Sequence, residues 1–330
     1  MNRDDIIAVF LSRNGFSPGD VEPLAQDASF RRYFRIRGVR PAVLMDAPPP
    51  EDVGPFLRIA AHLESIGLRV PAILAADEAN GLVLEEDLGD ELLSLLLDRG
   101  AAPEPLMDAA VDALLIMQRT PPPAGLPAWD APIMAATAMG TLFDWWWPAR
   151  FGTEAPQAAR DDVAAALGKM LQPVTRGPGS LVHRDFHAGN LMRLADRRVA
   201  LIDFQGAARG HPAYDLVSLL QDNRRDIPPA VRQRSISRYL AARPDLDPAT
   251  FQAAYAACAA QRHLRVACQW VRLALRDNRP QYLAYGPRTW RLLEDARSEP
   301  AAEPLAAALN RWIPPAARGN PPALHPGLEP

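Results

Sequence analysis

The hydrophobic and polar positions of this 330-residue chain predict a small mixed lobe followed by a larger helical one. Apolar residues at helical spacing over 53–66, closed by Gly67, predict one helix, and a shorter helix is expected at 6–13. Short apolar runs bounded by turn residues predict strands at 28–37, 41–45, 72–76 and 82–85. Together these elements predict a small β-rich N-lobe with one inserted helix over residues 1–87.

Beyond this lobe the apolar pattern is mainly helical. Helices are predicted at 91–98, 103–119, 131–145, 156–172, 213–222, 228–241, 248–277 and 287–295. We expect these helices to form a C-lobe over 88–313, followed by a disordered, Pro-rich tail over 314–330. The predicted fold class is therefore α+β, with two lobes.

A short hairpin interrupts the predicted helices of the second lobe. Two apolar runs, 191–194 and 199–202, flank a polar turn, which is typical of a β-hairpin. Asn190 precedes the first run and Asp203 follows the second, so the folded hairpin brings both side chains to one end. Because Mg²⁺ prefers amide and carboxylate oxygens as ligands, we expect Asn190 and Asp203 to hold Mg²⁺.

Asp185 lies five residues before Asn190, in the run His183-Arg184-Asp185-Phe186-His187. An acid at this distance from one metal ligand, with a second ligand after a hairpin, is the spacing used in kinase-type phosphoryl transfer. Asp185 would then accept the proton of an attacking hydroxyl. The ordinary alternative, a solvated turn residue, does not explain why all three residues have this spacing.

Composition and charge exclude several functional classes. The net charge of −3 does not indicate nucleic-acid binding. No apolar run is long enough to span a bilayer. The N-terminus has no basic segment followed by an apolar one, so no signal peptide is expected. Cys258 and Cys268 are the only cysteines, which indicates a reducing compartment. We therefore expect a cytoplasmic protein without an obligate protein partner.

The chain has 36 basic residues, of which Lys169 is the only lysine. Lys169 lies in a predicted helix of the second lobe, shortly before Asp185. Any basic role in the first lobe therefore falls to arginine.

Three motifs carry a family resemblance: His183-x-Asp185-x-x-x-x-Asn190, Ile202-Asp203-Phe204 and Tyr214-Asp215-Leu216. They resemble the aminoglycoside phosphotransferase and choline kinase superfamily, over about residues 25–275. The resemblance implies a bilobal protein-kinase-like fold, with ATP as co-substrate and Mg²⁺ as cofactor. We expect Asp215 to brace the catalytic loop rather than to take part in the chemistry.

A narrower resemblance lies in residues 27–35 (DASFRRYFR), 43–49 (VLMDAPP), 201–205 (LIDFQ) and 280–283 (PQYL). These stretches are similar to the bacterial anomeric kinases of N-acetylmuramate and N-acetylglucosamine. The resemblance implies an ATP-dependent enzyme that phosphorylates the C1 hydroxyl of these amino sugars in peptidoglycan recycling.

Two positions depart from the superfamily pattern. Where a Gly-rich loop would cover the phosphates, the chain has Ser29-Phe30-Arg31-Arg32, and Met45 stands where the third-strand lysine is usual. Guanidinium groups bind phosphate oxygens in a bidentate manner. We therefore expect Ser29 with Arg31 and Arg32 to contact the nucleotide, and Arg31, Arg32 or Arg35 to replace the lysine.

Residues 82–89 end the first lobe, where the resemblance places the adenine hinge. The backbone of Glu85 and Asp87 would pair with the adenine edge, and Leu84 would help to floor the pocket. The alternative is a simple acidic linker.

Four residues are candidates for contact with the sugar. His187 and Gln205 lie beside Asp185 and Asp203 in the sequence. Trp146 belongs to an aromatic run whose indole rings suit a sugar face, although such a cluster also suits a core. Arg262 could meet the carboxylate of N-acetylmuramate, or form an ordinary salt bridge.

Three other functions stay open. The chain could phosphorylate another hydroxyl acceptor, such as an aminoglycoside, choline or homoserine. Met45 allows a catalytically dead nucleotide-binding scaffold. The pattern His183-x-Asp185-x-His187 allows a metal hydrolase, although the other histidines have no ligand spacing.

Overall fold

The structure, a computed structural model, describes residues 2–19, 21–24, 31–38 and 40–324. The helices, labelled α1 to α12 in chain order, span Arg3–Arg13, Gly54–Ser65, Leu93–Asp98, Pro103–Arg119, Ala131–Thr141, Trp147–Phe151, Gln157–Met170, Ala213–Leu220, Pro229–Ala241, Pro248–Arg276, Gly286–Ala296 and Glu303–Trp312. The strands, labelled β1 to β10, span Val21–Pro23, Arg32–Ile36, Ala42–Asp46, Ile73–Asp77, Leu82–Glu86, Ala128–Trp129, Ser180–Val182, Leu191–Arg193, Val199–Leu201 and Ala208–Gly210. The predicted α+β class, with a β-rich N-terminal region and a mainly helical C-terminal region, is confirmed.

The chain divides into two compact units. Met1–Ala102 and Ala188–Gly206 form the first, which we call the sheet unit. Pro103–His187 and Ala207–Pro330 form the second, the helical unit. The lobe boundary that we place at residue 87 stays a prediction.

An antiparallel sheet with the order β1-β2-β3-β5-β4 organises the sheet unit. Because successive side chains of a strand point to opposite faces, each strand divides its residues between two environments. One face packs on α1, where Leu44 and Leu84 join Phe10 and Leu11 in a buried cluster. Tyr33, paired with Met45 in the ladder, belongs to the other face.

Helix α2 follows β3 and matches the helix predicted over 53–66. Its apolar positions, including Phe56, Ile59 and Leu63, are buried. The helix ends at a left-handed Gly67, whose N–H donates to Glu64 O at 2.9 Å. Phe56 stacks on Phe204 with ring centroids 4.7 Å apart, so α2 contacts the segment that follows the hairpin.

The predicted hairpin is confirmed as β8 and β9, which pair Leu191 with Leu201. Its turn is closed by the N–H of Leu194, which donates to Arg198 O at 2.9 Å. At the open end, Ile202 N donates to Asn190 O at 3.1 Å. The ladder therefore extends to the predicted ligand Asn190 and ends one residue before the other predicted ligand, Asp203.

Helix α10 is the central element of the helical unit and packs against α5, α8 and α11. Its N-terminus is capped by Asp247, whose side chain accepts from Thr250 N at 2.8 Å, and Pro248 occupies the first turn. Cys258 and Cys268 are free thiols buried on this helix. No helix in the described part of the chain is long and apolar enough to cross a membrane.

Three parts of the helical unit differ from the prediction. The sheet β6-β10-β7 has strands of two or three residues, which are too short for a periodic pattern. Helices α6 and α12 were not predicted. The predicted tail is ordered over 314–324, where Trp146 Nε1 donates to Gly319 O at 2.8 Å and Asn320 Nδ2 donates to Leu283 O at 2.7 Å. These hydrogen bonds join the segment to residues distant in sequence, and the prediction of disorder is wrong for 314–324.

Candidate active site

The catalytic loop of the helical unit leaves β7 and is held by Asp215. The backbone N–H groups of His183 and Arg184 donate to the two carboxylate oxygens of Asp215 at 2.7 and 3.0 Å. Asp215 is buried in the first turn of α8. Burial raises its pKa to about 6, while the charge of His183 and the two N–H bonds oppose this rise. The prediction that Asp215 braces the loop is confirmed.

Arg184 adopts a left-handed backbone conformation, with φ of 73°. Such a conformation costs a residue with a side chain on the order of 1–2 kcal/mol, so neighbouring contacts must hold it. Asp215 holds the N–H of Arg184, and Arg262 donates to its carbonyl oxygen at 3.2 Å. The backbone immediately before Asp185 is therefore fixed from both sides.

Asp185 itself is open to solvent, with 54% of its side chain exposed. Its carboxylate lies 3.5 Å from the guanidinium of Arg262, which is only 3% exposed. Desolvation would raise the pKa of Asp185, but the charges of Arg262, His187 and Arg265 together hold it below its usual range. The carboxylate is thus ionised at neutral pH and accessible to a substrate hydroxyl.

His187 is buried beside Arg224, with its Nε2 2.8 Å from Arg224 NH1. Burial and the charge of Arg224 lower the pKa of His187 to about 4. The neutral imidazole therefore accepts a hydrogen bond from Arg224 through Nε2, which leaves this nitrogen unsuited to a metal. The described residues contain no group of three His, Cys, Asp or Glu side chains arranged to hold a metal, so the geometry gives no support to the metal-hydrolase reading.

The sheet unit contains the two predicted metal ligands. Asn190 Nδ2 and Asp203 Oδ2 are 3.5 Å apart, and Gln205 Nε2 donates to Asp203 Oδ1 at 2.7 Å. Cis oxygen ligands of Mg²⁺ lie about 3 Å apart, and a half-turn of the Asn190 amide presents its oxygen. Asp203 has a φ of 59°, a strained conformation typical of functional sites. The donor set and its spacing therefore fit Mg²⁺ held by Asn190 and Asp203.

The sheet face opposite α1 carries a buried polar group of Tyr33 and Glu85. Burial raises the pKa of Glu85 to about 8, so its carboxyl is largely protonated at neutral pH. Burial also raises the pKa of Tyr33, and the charges of Glu85 and Asp203 add to this rise. Tyr33 thus lies within electrostatic reach of Asp203, which identifies this face as the one next to the predicted metal ligands.

The three arginines proposed to replace a lysine lie in different places. Arg32 points to the α1 face and shares the buried carboxylate of Asp46 with Arg3. Arg35 Nε lies 2.8 Å from Asp87. Arg31 is buried with its Nε 3.4 Å from Glu51 and lies beside Tyr33, whose pKa its charge lowers.

These positions correct the expectation for Arg32. Its side chain points to the sheet face away from Tyr33 and is committed to Asp46, which makes it unsuited to hold a phosphate on the Tyr33 side. Arg31 and Arg35 share the sheet face of Tyr33, but Arg35 is bound to Asp87 after β5. Arg31 is therefore the best placed of the three to bind a phosphate. Ser29 lies outside the described residues.

The expected adenine hinge is partly corrected. Leu84 packs into the core under α1, so its side chain cannot floor a pocket on the opposite face. Glu85 lies between β3 and β4, with ladder partners on both sides of its backbone. Asp87 follows the strand, and its side chain is held by Arg35. A hinge contact through the backbones of Glu85 and Asp87 stays a prediction.

The candidates for sugar contact are placed as follows. Trp146 is fully buried and packs on Trp290 with ring centroids 5.2 Å apart, so it is a core residue and the predicted sugar contact is wrong. Arg262 is buried on Asp185 rather than open to a substrate carboxylate. Gln205 is bonded to Asp203, and His187 to Arg224. The structure therefore places Trp146 in the core and the other three in contact with neighbouring residues of the site.

Two arginines near Asp185 were missed by the sequence analysis. Arg224 bonds His187, and Arg265 NH2 donates to Tyr214 OH at 3.2 Å. Both contribute positive charge at Asp185. Arg265 follows Arg262 at helical i, i+3 spacing, but among so many arginines this signal does not stand out.

A family model described as "Phosphotransferase enzyme family" matches residues 20–251. The chain belongs to this family. The phosphotransferase is 36% identical to the N-acetylmuramate/N-acetylglucosamine kinase of Caulobacter vibrioides, over 94% of this chain and 97% of the relative. It is 35% identical to the protein of the same name from Pseudomonas aeruginosa, over 84% of each chain. The expectation of a small-molecule phosphotransferase is confirmed.

Solved structures share the fold of this phosphotransferase. A choline/ethanolamine kinase family protein from Mesorhizobium loti matches with a TM-score of 0.64 and 15% identity, over 94% of this chain and 100% of the other. The GDP complex of aminoglycoside 2'-phosphotransferase-IIIa matches with a TM-score of 0.60 and 16% identity, over 89% and 97%. The predicted resemblance to both groups and the protein-kinase-like fold are therefore confirmed, while such low identities say nothing of the substrate.

Proposed function

We propose that this phosphotransferase transfers the γ-phosphoryl group of ATP to the C1 hydroxyl of N-acetylmuramate and N-acetylglucosamine. The observation that carries the proposal is the 33–36% identity, over most of this chain, to four curated relatives named for these two sugars. Both sugars are components of peptidoglycan, so the proposal places the reaction in cell-wall recycling in the cytoplasm.

Asp185 would serve as the base in this reaction. Its carboxylate is ionised and exposed, while Arg262 and Asp215 fix the backbone beside it. The anomeric hydroxyl is more acidic than an ordinary alcohol because the ring oxygen withdraws electron density from C1. A carboxylate, although a weak base, is therefore adequate to accept its proton in the transition state.

Asn190 and Asp203 would hold Mg²⁺. The metal would offset the negative charge of the nucleotide phosphates during transfer. Gln205 contributes by fixing Asp203 Oδ1, which leaves Oδ2 on the side of Asn190.

Arg31 would supply the cation that Met45 does not. Met45 is fully buried in β3, so the third strand offers no charge at this position. Arg31 lies next to β2, contacts Tyr33 and is fixed by Glu51. Its guanidinium would bind phosphate oxygens, and the backbones of Glu85 and Asp87 would contact adenine.

Charge around Asp185 argues against a cationic acceptor. Choline and aminoglycosides are positively charged, and Arg224, Arg262 and Arg265 would repel them. A neutral or anionic sugar meets no such repulsion. A dead scaffold would have no use for an exposed, ionised carboxylate on a strained, doubly anchored loop.

The test is an ADP-release screen with N-acetylmuramate, N-acetylglucosamine, an aminoglycoside, choline and homoserine. We expect turnover with the two amino sugars only, and about a thousandfold lower kcat in the Asp185→Asn variant. The product should lose its reducing end, because phosphate on C1 blocks ring opening. ADP release with a product that still reduces ferricyanide would place the phosphate on another hydroxyl and contradict the proposal. Silence of the wild type on every acceptor would favour a scaffold.

A further inference from the structure

Three arginine side chains lie around Asp185. Arg262, Arg265 and Arg224 all act on the pKa of its carboxyl, yet only Arg262 is ion-paired with it. Within the described residues, the guanidinium groups of Arg224 and Arg265 have no carboxylate partner within 4.0 Å, although the backbone N–H of Arg224 donates to Asp222. Two half-buried cations thus stand beside the catalytic carboxylate without a counter-charge of their own.

Several other buried arginines of the helical unit are paired. Arg225 lies 3.1 Å from Asp222, Arg243 lies 2.7 Å from Asp245, and Arg318 lies 2.9 Å from Glu294. Partial burial of a cation without a counter-charge costs free energy, so such pairing is the expected arrangement. Arg224 and Arg265 both depart from this arrangement beside the same carboxylate, which Arg262 already engages, and this indicates that a ligand supplies further negative charge there.

The contacts of Arg265 and Arg224 fix their guanidinium planes without neutralising them. Arg265 donates to Tyr214 OH and lies 5.9 Å from the ring centre of Trp129. Its Nε is buried and has no hydrogen-bond acceptor among the described residues. Arg224 donates to the neutral His187 and lies 5.5 Å from the ring centre of Trp270. Aromatic faces and neutral acceptors hold a guanidinium in place while its charge remains available.

We propose, building on the proposed function, that Arg265 and Arg224 bind the carboxylate of N-acetylmuramate. This sugar differs from N-acetylglucosamine by a lactyl ether that carries one carboxylate. Both sugars must present the same C1 hydroxyl to Asp185, so the extra group extends from a ring that is already bound there. A guanidinium binds a carboxylate through two parallel hydrogen bonds, which gives both affinity and orientation. The two arginines then favour the acidic sugar over the neutral one.

The transferred phosphoryl group is the other anion that such arginines could contact. The two assignments differ in what they predict. The phosphoryl group is common to every acceptor reaction, whereas the lactyl carboxylate is present in only one of the two sugars. A loss confined to N-acetylmuramate therefore identifies the carboxylate as the ligand.

The experiment measures kcat/KM for N-acetylmuramate, its uncharged methyl ester and N-acetylglucosamine. Loss of a charge-assisted contact should make Arg265→Gln about 10- to 100-fold slower on N-acetylmuramate. For the ester and for N-acetylglucosamine we expect less than about a twofold change, since neither offers a carboxylate. Arg265→Lys should recover part of the loss because it keeps the charge, and Arg224→Gln should show the same selectivity. Arg276→Gln is the matched control, since Arg276 ends the same helix and is paired with Asp277.

Two results would overturn the proposal. Equal losses on both sugars in Arg265→Gln and Arg224→Gln would assign the arginines to the phosphoryl group. Equal kcat/KM of the wild-type enzyme for N-acetylmuramate and its methyl ester would also show that the carboxylate is not bound. This comparison needs no variant, so it holds even if the variants fail to fold. If the wild type phosphorylates neither amino sugar, the proposed function itself is wrong and the carboxylate site falls with it.

Discussion

The arginines of the sheet unit and those beside Asp185 have opposite charge environments. In the sheet unit, Arg35 is bonded to Asp87, Arg69 to Glu86, and Arg32 to a fully buried Asp46. Beside Asp185, a single exposed carboxylate faces several guanidinium groups, of which one forms the ion pair. The positive charges of the first set are paired with carboxylates of the chain, and we call this region balanced. Two of the guanidinium groups beside Asp185 have no such partner among the described residues, and we call that region unbalanced.

This difference separates arginines that maintain the fold from arginines that bind a ligand. A guanidinium already bonded to a buried carboxylate has its donors occupied and its charge cancelled, so proximity in sequence to a phosphate loop does not make it a phosphate ligand. Arg32 shows this, because Asp46 holds it on the α1 face. Unbalanced charge in a half-buried position is the more useful sign of function.

The largest effect should follow the loss of the one carboxylate in the unbalanced region. Asp185→Asn removes the base but keeps the shape, so we expect kcat to fall by about a thousandfold. ATP affinity should not fall, because the change removes a negative charge and no positive one. Asp112→Asn is a control, since Asp112 forms an exposed pair with Arg238. Near-wild-type turnover of Asp185→Asn would remove the central claim about this site.

A substitution in the balanced region should lower the free energy of unfolding and leave turnover unchanged. Asp46→Asn leaves Arg3 and Arg32 without their shared carboxylate, and Asp46 is fully buried while the two arginines are partly exposed. Because the arginines can turn towards solvent, we expect a loss of about 2 kcal/mol, less than for a wholly buried pair. Thermal unfolding should show this as a lower Tm, whereas the exposed-pair variant Asp112→Asn should change little. An unchanged Tm would mean that the sheet does not depend on this pairing.

Nucleotide binding should distinguish two neighbouring arginines of the sheet unit. Arg31→Gln should raise the KM for ATP by about 10- to 100-fold if its guanidinium binds phosphate. Arg32→Gln should leave this KM within about twofold, since Arg32 lies on the other face of the sheet. The reverse order of effects, or no effect of either change, would contradict the assignment of Arg31.

The sequence was sufficient where local pattern and structure coincide. Long periodic helices such as α4 and α10 were predicted almost to the residue, and the spacing of Asp185, Asn190 and Asp203 identified the chemistry of the family. The strands β6, β7 and β10 have only two or three residues, so no periodicity reveals them. Helix α12 lies between the last predicted helix, at 287–295, and the Pro-rich stretch at 314–330, a segment in which we predicted no element.

The charge environment of the site could not be predicted from the sequence. The partner of Asp185 is Arg262, on a helix far along the chain, and only the packing of α10 brings them together. Likewise, whether Trp146 lines a site or fills the core depends on Trp290 and Gly319, which contact it from distant segments. The residue types were visible in the sequence, but their pairing is a tertiary property.

The ion pair of Asp185 with Arg262 can be tested through pH. Arg262 lowers the pKa of Asp185, so Arg262→Gln should raise that pKa and move the acid limb of kcat/KM upward by about one pH unit. Activity should therefore be lost mainly at low pH and recover towards pH 8. Arg262→Lys keeps the charge and should keep the wild-type profile. An equal loss at every pH would show that Arg262 acts only by holding the backbone of Arg184.

The smallest effect concerns Glu85 of the sheet unit, a buried carboxyl that has no cation partner within 4.0 Å among the described residues. Burial raises the pKa of Glu85 to about 8, from an ordinary value of 4.5. Between these values the folded protein keeps a proton that the unfolded chain has released. The free energy of unfolding contributed by Glu85 must therefore fall as pH rises from about 5 to 8.

Glu85→Gln removes this dependence, because the amide has the same shape and no proton to lose. We expect the variant and the wild type to have similar Tm values at pH 5, and the variant to unfold at higher temperature at pH 8. About 1 kcal/mol corresponds to about 2–4 °C in a protein of this size, so differential scanning fluorimetry resolves the change. Glu64→Gln on α2 is the matched control, since it removes the same charge from an exposed position. A Tm for Glu85→Gln that is lower than the wild type at pH 8 would show that the carboxyl is ionised and bonded in the fold, and that this part of the sheet unit is balanced by charge after all.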